Sequence, residues 1–263
     1  MRNDGRSNQQ IRSIEVTRGF TQTPAGSVLW KQGQTVVLCT VSLAQDLPPW
    51  FGEDKAGGWL TAEYVMLPGS TPQRKSWPRV GHTDSRGTEI QRLIGRSLRA
   101  AVDLSRLGPH TLSVDCQVLQ ADGGTRTACI SAAYVALCDA VAKLPAQMPL
   151  PRVLKSLTDP ATGQTRPRYD ASLYAPTSVM ADQLAAISVG SIDGELRVDL
   201  DYSDDSRANV DLNVAYTAAG KFVEVQGSAE NGGGFDRAAM DKMLDLAVDG
   251  CKQIMQVQKD ALR

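Results

Sequence analysis

Histidine is scarce in this chain, which has only two in 263 residues. His82 lies in a polar stretch, and His110 follows a Gly-Pro turn. A Ser-His-Asp triad needs an imidazole held between a nucleophile and a carboxylate, and a histidine-rich metal centre needs several imidazoles. The sequence therefore argues against both kinds of site.

Cysteine is also sparse, and the five cysteines are odd in number. Their spacing matches no zinc motif, and each has apolar neighbours. We therefore expect buried, reduced thiols rather than disulfides or a metal site. The residues are Cys39, Cys116, Cys129, Cys138 and Cys251.

Long apolar runs are missing, so the sequence predicts no membrane span. The first residues are polar and lack the apolar core of a signal peptide. A content of 42% hydrophobic and 22% charged residues is typical of a soluble globular protein. Together these features predict a cytoplasmic protein.

The net charge of −1 gives no overall basic signal for nucleic-acid binding. Charge is nevertheless distributed unevenly along the chain. Residues 74–106 hold eight basic and three acidic side chains, whereas residues 193–211 hold seven acidic and two basic ones. A basic and an acidic segment in one chain favour a phosphate-bearing substrate together with a divalent cation.

The most informative stretch is 119–128 (LQADGGTRTA). An alternating strand pattern precedes it, and an Ala-rich helical pattern follows over 128–143, with Thr125 or Thr127 able to cap the helix. A glycine turn before a helix start presents free amides to an anion, and Arg126 adds a guanidinium that fits phosphate. The alternative is a plain strand-to-helix turn with a surface arginine. The stretch lacks both the Gly-Lys-Ser/Thr ending of a P-loop and the G-x-G-x-x-G dinucleotide motif.

The rest of the chain reads as further strands and helices. Alternation and turn residues predict strands over 11–20, 26–44 with a hairpin turn inside, 59–66, 185–189, 195–202, 209–217 and 221–227. Apolar residues at helical spacing predict helices over 89–106 and 236–258, while 68–88 and the Pro-rich 145–176 read as irregular. Both halves place strands first and then a long helix, which suggests a duplicated α+β unit.

Basic residues in two segments are candidates for RNA contacts. In the irregular segment 68–88, Trp77 could stack on a base while neighbouring cations hold phosphates. In the helix predicted over 89–106, three arginines share one face. For the irregular segment the alternative is a loop packed at a subunit contact. For the helix face the alternatives are exposure to solvent and contact with an oligomer partner. The candidates are Arg74, Arg79, Arg92, Arg96 and Arg99.

Acidic residues cluster near the end of a predicted strand. Asp199 and Asp201 alternate, so we expect them on one strand face, with Asp204 and Asp205 in the turn that follows. Carboxylates grouped in this way can hold Mg²⁺ or supply a general acid. An acidic turn that only keeps the end of a sheet soluble is the alternative.

Four stretches carry a resemblance to a known family. They are 58–64 (GWLTAEY), 88–99 (TEIQRLIGRSLR), 118–127 (VLQADGGTRT) and 222–230 (FVEVQGSAE). With them the chain resembles the ribonuclease PH family of phosphorolytic 3′ exoribonucleases over most of its length. The resemblance implies an α+β ribonuclease PH-like fold of duplicated mixed-sheet and helix units, like domain 2 of ribosomal protein S5. It also implies a single catalytic domain over 1–263, with the Pro-rich excursion at about 145–177.

The resemblance also implies a site and a reaction. Inorganic phosphate would be bound by Arg86, Gly124, Thr125 and Arg126, while Asp199 and Asp205 would assist catalysis and bind Mg²⁺. Phosphate would attack the last phosphodiester of a single-stranded RNA 3′ end and release a nucleoside 5′-diphosphate, with tRNA precursors as typical substrates. The implied assembly is a homohexamer, a trimer of dimers. A non-catalytic RNA-binding ring subunit and a water-using metal nuclease are the alternatives.

The chain departs from the family pattern at two places. Gly87 stands where the family usually has threonine after the arginine at 86, and we expect this to loosen the loop that carries Arg86. The Pro-rich excursion is longer than the usual linker, and no site residue is assigned to it.

Overall fold

The structure is a computed structural model that describes residues 2, 4–51, 57–77, 84–147, 157–158, 161–163, 165–166, 171–229 and 234–263. Arg79, His82 and much of the Pro-rich excursion lie outside these residues. Within them the chain forms two large β-sheets and four α-helices, which confirms the α+β class predicted from the sequence.

The first sheet has five strands in the order β1-β2-β3-β5-β4. The strands are β1 (Ile14–Arg18), β2 (Gly26–Gln32), β3 (Thr35–Ala44), β4 (Trp59–Met66) and β5 (Thr111–Gln120). Residues of β3 and β5 alternate between buried and half-buried positions, so one face of the sheet packs into the core. β4 and β5 run parallel, as a helical crossover between them allows.

Helix α1 (Ser85–Arg99) makes that crossover. It begins after Asp84, whose carboxylate accepts a hydrogen bond from Gly87 N at 2.9 Å. The bounds predicted for this helix are therefore wrong at both ends, because a capping aspartate starts it earlier and a separate 3₁₀ turn holds Leu104–Arg106. Arg86 consequently lies in the first helical turn rather than in a loop.

Helix α2 (Thr125–Val141) lies at the centre of the molecule, and 13 of its 17 residues are buried. Its many alanines allow close packing against β2 and β3 of the first sheet and against strands of the second. The N-terminus of α2 is therefore held in place by both sheets, which makes it a rigid support for a site.

The described parts of the excursion form a small paired ribbon and two short 3₁₀ turns. The ribbon consists of β6 (Leu157–Thr158) and β7 (Thr165–Arg166), and the turns are Ala171–Leu173 and Pro176–Ser178. These short elements agree with the low periodicity of this segment.

The second sheet has four strands in the order β11-β10-β8-β9. The strands are β8 (Leu184–Ile192), β9 (Glu195–Val198), β10 (Val210–Thr217) and β11 (Phe222–Ala229). The strand predicted over 195–202 is wrong in its second half. Asp199 adopts a φ of 55° in the left-handed region, which ends β9, and the short helix α3 (Tyr202–Asp205) follows.

Helix α4 (Arg237–Leu262) covers the second sheet and packs mainly on β8. Asp236 caps it by accepting a hydrogen bond from Ala239 N at 2.8 Å. None of the described helices is both long and apolar enough to cross a membrane.

The cysteines lie where their apolar neighbours indicate. Cys39, Cys116, Cys129 and Cys251 are buried thiols, and Cys138 is half-buried. His110 is buried too, and its Nδ1 lies 2.8 Å from Leu107 O. Burial lowers the pKa of His110, which favours the neutral imidazole in the core.

Candidate active site

The glycine turn before α2 has the backbone geometry of an anion site. Gly123 and Gly124 have φ values of 71° and 62°, and Gly124 is the N-cap residue of α2. The prediction that Thr125 or Thr127 caps the helix is wrong, because the Thr127 hydroxyl donates to Gly124 O at 2.9 Å. No side chain among the described residues accepts a hydrogen bond at this cap. The first-turn amides thus keep the capacity to bind an anion.

Arg126 extends from the first turn of α2 toward β11 and α1. Its Nη1 donates to Gln226 Oε1 at 2.6 Å, and the same nitrogen lies 3.8 Å from Glu89 Oε2. Gln226 Nε2 donates in turn to Glu89 Oε1 at 3.0 Å. Gln226 therefore links Arg126 of α2 to Glu89 of α1 and orients the guanidinium. The sequence did not predict this role, although Gln226 lies within the stretch 222–230.

Arg86 and Arg126 lie near a common group, the hydroxyl of Tyr64. Tyr64 Oη and Thr125 Oγ1 are 2.9 Å apart, at hydrogen-bond distance. Burial raises the pKa of Tyr64, and the positive charges of Arg86 and Arg126 oppose that rise. Arg86 thus lies in the first turn of α1, Thr125 and Arg126 lie in the first turn of α2, and both arginines act electrostatically on Tyr64.

Gly87 packs against the residue that caps α1. A Cβ added at Gly87 would lie 2.5 Å from Asp84 Oδ2, because the capping carboxylate occupies that space. The position is therefore shaped for glycine here, and Arg86 is carried by the helix backbone that Asp84 stabilises.

Asp199 is a buried hydrogen-bond acceptor rather than an exposed carboxylate. Its Oδ2 accepts from Arg12 N at 2.7 Å and Arg12 Nε at 3.1 Å. Its Oδ1 accepts from Arg12 Nη2 at 2.7 Å and Gln32 Nε2 at 2.8 Å. Burial acts to raise the pKa of Asp199, but the charge and hydrogen bonds of Arg12 outweigh it and lower that pKa. Asp199 and Asp201 do not share a strand face, because Asp201 caps α3.

The two predicted Mg²⁺ ligands are a buried carboxylate, Asp199, and a half-buried one, Asp205. A carboxylate offers about four lone-pair positions, and Asp199 uses its positions on Arg12 and Gln32. Cation binding at Asp199 would require it to release one of these partners. Asp205 lies half-buried in α3 and offers the oxygen chemistry that a hard cation prefers. Both carboxylates thus have the oxygen chemistry of a Mg²⁺ ligand, and at Asp199 a cation would have to displace an existing hydrogen bond.

We expect Asp199 to contribute to acid unfolding. Because its pKa is lower in the folded protein than the ordinary value of about 3.9, ionised Asp199 stabilises the fold above that pH. This stabilisation is lost as the pH falls from about 4 through the folded pKa. Asp199→Asn should therefore flatten the dependence of the free energy of unfolding on pH in that window, measured by urea denaturation. The exposed Asp249→Asn serves as control, and an unchanged slope in Asp199→Asn would contradict the expectation.

The arginines predicted to contact RNA have different surroundings. An open groove of about 400 Å³ runs along α1, lined by Ser85, Thr88, Glu89, Arg92 and Arg96. Arg96 also pairs with Glu224 on β11, with Nη2 3.0 Å from Oε1. Arg92 is exposed at this groove. The groove therefore begins at the first turn of α1, beside the cluster of phosphate candidates.

The other basic candidates lie elsewhere. Arg99 donates to Leu60 O at 3.1 Å, and its guanidinium lies 5.0 Å from the centre of the Trp59 ring. Arg74 is exposed, Trp77 is 56% exposed, and Arg79 falls outside the described residues. Of the described arginines predicted to contact RNA, Arg92 and Arg96 thus line the groove, and Arg74 and Arg99 do not.

Comparisons with known proteins give the family. Residues 10–143 match the model of the 3′ exoribonuclease family, domain 1, and residues 182–250 match that of domain 2. Proteins named ribonuclease PH from Nocardia farcinica and Mycobacterium tuberculosis are 48% identical over 262 residues. The match covers 99% of this chain and 92% and 91% of the two relatives.

Solved structures agree at the level of the fold. A chain of the Archaeoglobus fulgidus exosome with RNA bound to the active site matches with a TM-score of 0.73 and 22% identity, covering 97% of this chain and 91% of that chain. A chain of an archaeal exosome core has a TM-score of 0.68 and 21% identity, covering 98% and 91%. With family models over most of its length and full-length relatives at 48% identity, the chain belongs to the 3′ exoribonuclease family.

Proposed function

We propose that this protein is a phosphate-dependent 3′→5′ exoribonuclease and nucleotidyltransferase of the ribonuclease PH type. An oxygen of inorganic phosphate forms a bond to the last phosphodiester phosphorus, and the bond from that phosphorus to the 3′ oxygen of the preceding nucleotide breaks. A nucleoside 5′-diphosphate leaves, and the reverse reaction extends an RNA 3′ end. The observation that carries the proposal is the contact between the N-terminal parts of α1 and α2. There Arg126 Nη1 lies 3.8 Å from Glu89 Oε2, and Thr125 Oγ1, beside the glycine turn, lies 2.9 Å from Tyr64 Oη.

Phosphate binding is assigned to Arg86, Gly124, Thr125 and Arg126. A phosphate dianion and an RNA phosphodiester repel each other, and this repulsion is a barrier that fixed positive charges lower. The uncapped amides after Gly124 and the guanidinium of Arg126, fixed by Gln226, supply preorganised donors. Preorganisation matters because no donor then has to reorient during the reaction.

The acidic turn that follows β9, residues 199–205, would supply metal binding and proton transfer. We assign Asp199 and Asp205 to catalysis, where their carboxylates would hold Mg²⁺. As the alternative to metal binding, a protonated Asp205 would give its proton to the departing 3′ oxygen. Bound Mg²⁺ would neutralise charge on the scissile phosphodiester. Asp199 would act mainly through Arg12, which its carboxylate holds.

The substrates are proposed to be tRNA precursors and other RNA with single-stranded 3′ ends. The groove along α1 would guide the RNA through Arg92 and Arg96, with Arg74, Arg79 and Arg99 as further candidates. We also propose that the two sheets work as one catalytic unit, that the protein assembles as a homohexamer, a trimer of dimers, and that it acts in the cytoplasm. The archaeal relatives of known structure are described as exosome chains, which supports a ring assembly.

The test incubates the protein with Mg²⁺ and an RNA that has a single-stranded 3′ tail, with and without inorganic phosphate. Nucleoside diphosphates that appear only with phosphate would support the proposal. Monophosphates formed regardless of phosphate would indicate a water-using nuclease instead. RNA binding without any product would indicate a non-catalytic ring subunit.

We expect Gln226→Ala to raise the KM for phosphate about 3- to 30-fold. The KM for RNA should change less. The reason is that Arg126 loses the acceptor at 2.6 Å that fixes its guanidinium. Steady-state kinetics at varied phosphate concentration measures this. Val225→Ala, on the opposite face of the same strand, is the matched control. Equal KM values for phosphate in the two variants would rule out the orienting role of Gln226.

A further inference from the structure

Arg12 lies between the glycine turn before α2 (residues 122–124) and the acidic turn after β9 (residues 199–205). It precedes β1 and is 4% exposed. The two turns belong to the two matched family domains, since Gly123 lies within residues 10–143 and Asp199 within residues 182–250. A single side chain therefore contacts both parts of the candidate active site.

On the side of the glycine turn, Arg12 forms hydrogen bonds with backbone carbonyls. Its Nη1 donates to Asp122 O at 2.5 Å, and its Nη2 lies 3.5 Å from Gly123 O. A Cβ added at Gly124 would lie 3.0 Å from the same Nη2. The hydroxyl of Thr35 donates to Gly123 O at 2.7 Å and completes this support. The carbonyl oxygens of Asp122 and Gly123 thus have hydrogen-bond donors. These bonds hold the turn in one conformation.

On the side of the acidic turn, Arg12 binds Asp199 through three nitrogens, two of the side chain and one of the backbone. Gln32 fixes the same carboxylate from a different direction at 2.8 Å. Asp199 holds this orientation with a positive φ of 55°, a backbone conformation that is unfavourable for a non-glycine residue. The surrounding contacts must therefore be strong enough to maintain it.

The contacts of Arg12 with Asp199 and with the glycine turn require a guanidinium. Arginine has a planar fork of five N–H donors and can serve a carboxylate and two carbonyl groups at once. Lysine keeps the charge but has a single ammonium, which cannot reach all three acceptors together. Because Arg12 is buried, it does not contact a substrate in the groove, and its influence on the reaction must pass through the backbone that it holds.

We propose that Arg12 is a positioning residue that fixes the phosphate-binding turn relative to the acidic turn. The inference rests on the proposed function, since it assigns a role within that same site. Loss of the fork lets the turn from Asp122 to Gly124 relax, so that the amides at the start of α2 and the guanidinium of Arg126 no longer match the phosphate. Phosphate binding, rather than RNA binding, is the step that depends on Arg12.

The first test is Arg12→Lys. We expect the KM for phosphate to rise about tenfold, because small misplacements of a binding group reduce rates by one to two orders of magnitude, while the KM for RNA stays within about twofold. Arg18→Met is the matched control. Arg18 lies on β1, pairs with Asp139 of α2 and donates to Ala261 O of α4 at 2.9 Å, so it also links distant elements, but these contacts involve neither turn. This control should keep the KM for phosphate of the parent.

A second variant separates positioning from folding. Removing Arg12 alone takes the closest cation away from the buried Asp199 carboxylate and leaves Arg6 Nη1 at 3.5 Å from Oδ2; breaking a buried ion pair in this way destabilises proteins strongly. The double variant Arg12→Gln with Asp199→Asn replaces the charged pair by a neutral one. Calorimetric titration with inorganic phosphate alone, on protein shown to be folded by circular dichroism, then measures binding directly. Phosphate binding weakened about tenfold or more in Arg12→Lys and in the double variant supports the proposal.

Two outcomes contradict the account, and they are distinguishable. Unchanged phosphate binding and KM in folded Arg12 variants, with only a lower Tm, would overturn the positioning role and leave the proposed function intact. A parent protein that neither binds phosphate nor releases nucleoside diphosphates would overturn the proposed function itself.

Discussion

Arg126→Ala is expected to reduce kcat/KM for phosphate by about 100-fold or more, through a higher KM for phosphate and a lower turnover. Removing one preorganised donor from a developing negative charge costs about 10²–10³ in rate, and Arg126 also contributes a full positive charge. The Arg126 side chain is 18% exposed and its guanidinium is fixed by Gln226, so water cannot easily replace it. RNA binding should change much less, because the groove arginines are retained.

The measurement is phosphate-dependent release of nucleoside diphosphates at varied phosphate concentration, together with RNA binding by anisotropy. Arg237→Ala is the control, since Arg237 is 93% exposed on α4 and forms a surface ion pair with Asp241. Equal phosphate dependence in Arg126→Ala and the parent would remove Arg126 from the site.

Gly123→Ala is expected to lower the free energy of unfolding by about 2–5 kcal/mol and to weaken phosphate binding at the same time. Its φ of 71° costs a residue with a side chain about 1–2 kcal/mol. The added Cβ would in addition lie 2.5 Å from Leu200 O, and relieving such overpacking costs about 1–3 kcal/mol. The clash would separate the glycine turn from the acidic turn.

Gly194→Ala separates these two contributions. Gly194 has a φ of 80°, and an added Cβ there meets nothing within 4 Å. Urea denaturation of this variant should show only the backbone cost of about 1–2 kcal/mol and unchanged phosphate binding. Equal losses of stability in Gly123→Ala and Gly194→Ala would mean that the close contact of Gly123 with Leu200 carries no energetic weight.

Local sequence patterns predict the parts of the site that local structure creates. The glycine pair followed by Arg126 predicts a strand, a turn and a helix start, and the structure has β5, that turn and α2. Alternation likewise predicts β4 at its observed bounds. The helix cap was predicted wrongly, because the left-handed Gly124 begins α2 without help from a threonine hydroxyl.

Contacts between distant residues could not be predicted in this way. Arg12 and Asp199 are 187 residues apart in sequence, and nothing in the neighbourhood of either residue indicates their pairing. The alternation around Asp199 suggests a strand, but pairing with Arg12 turns the carboxylate inward and ends β9 at Val198. Gln226 was missed for the same reason, because its role depends on side chains from α1 and α2.

The central claim is that inorganic phosphate is the attacking group, and the most direct test follows its phosphorus atom. Unlabelled RNA with a single-stranded 3′ tail is incubated with the protein, Mg²⁺ and radiolabelled inorganic phosphate, and the mononucleotide products are separated. The account predicts that the label appears in the β-phosphate of nucleoside 5′-diphosphates and is lost in Arg126→Ala. Unlabelled nucleoside monophosphates as the only products would contradict it.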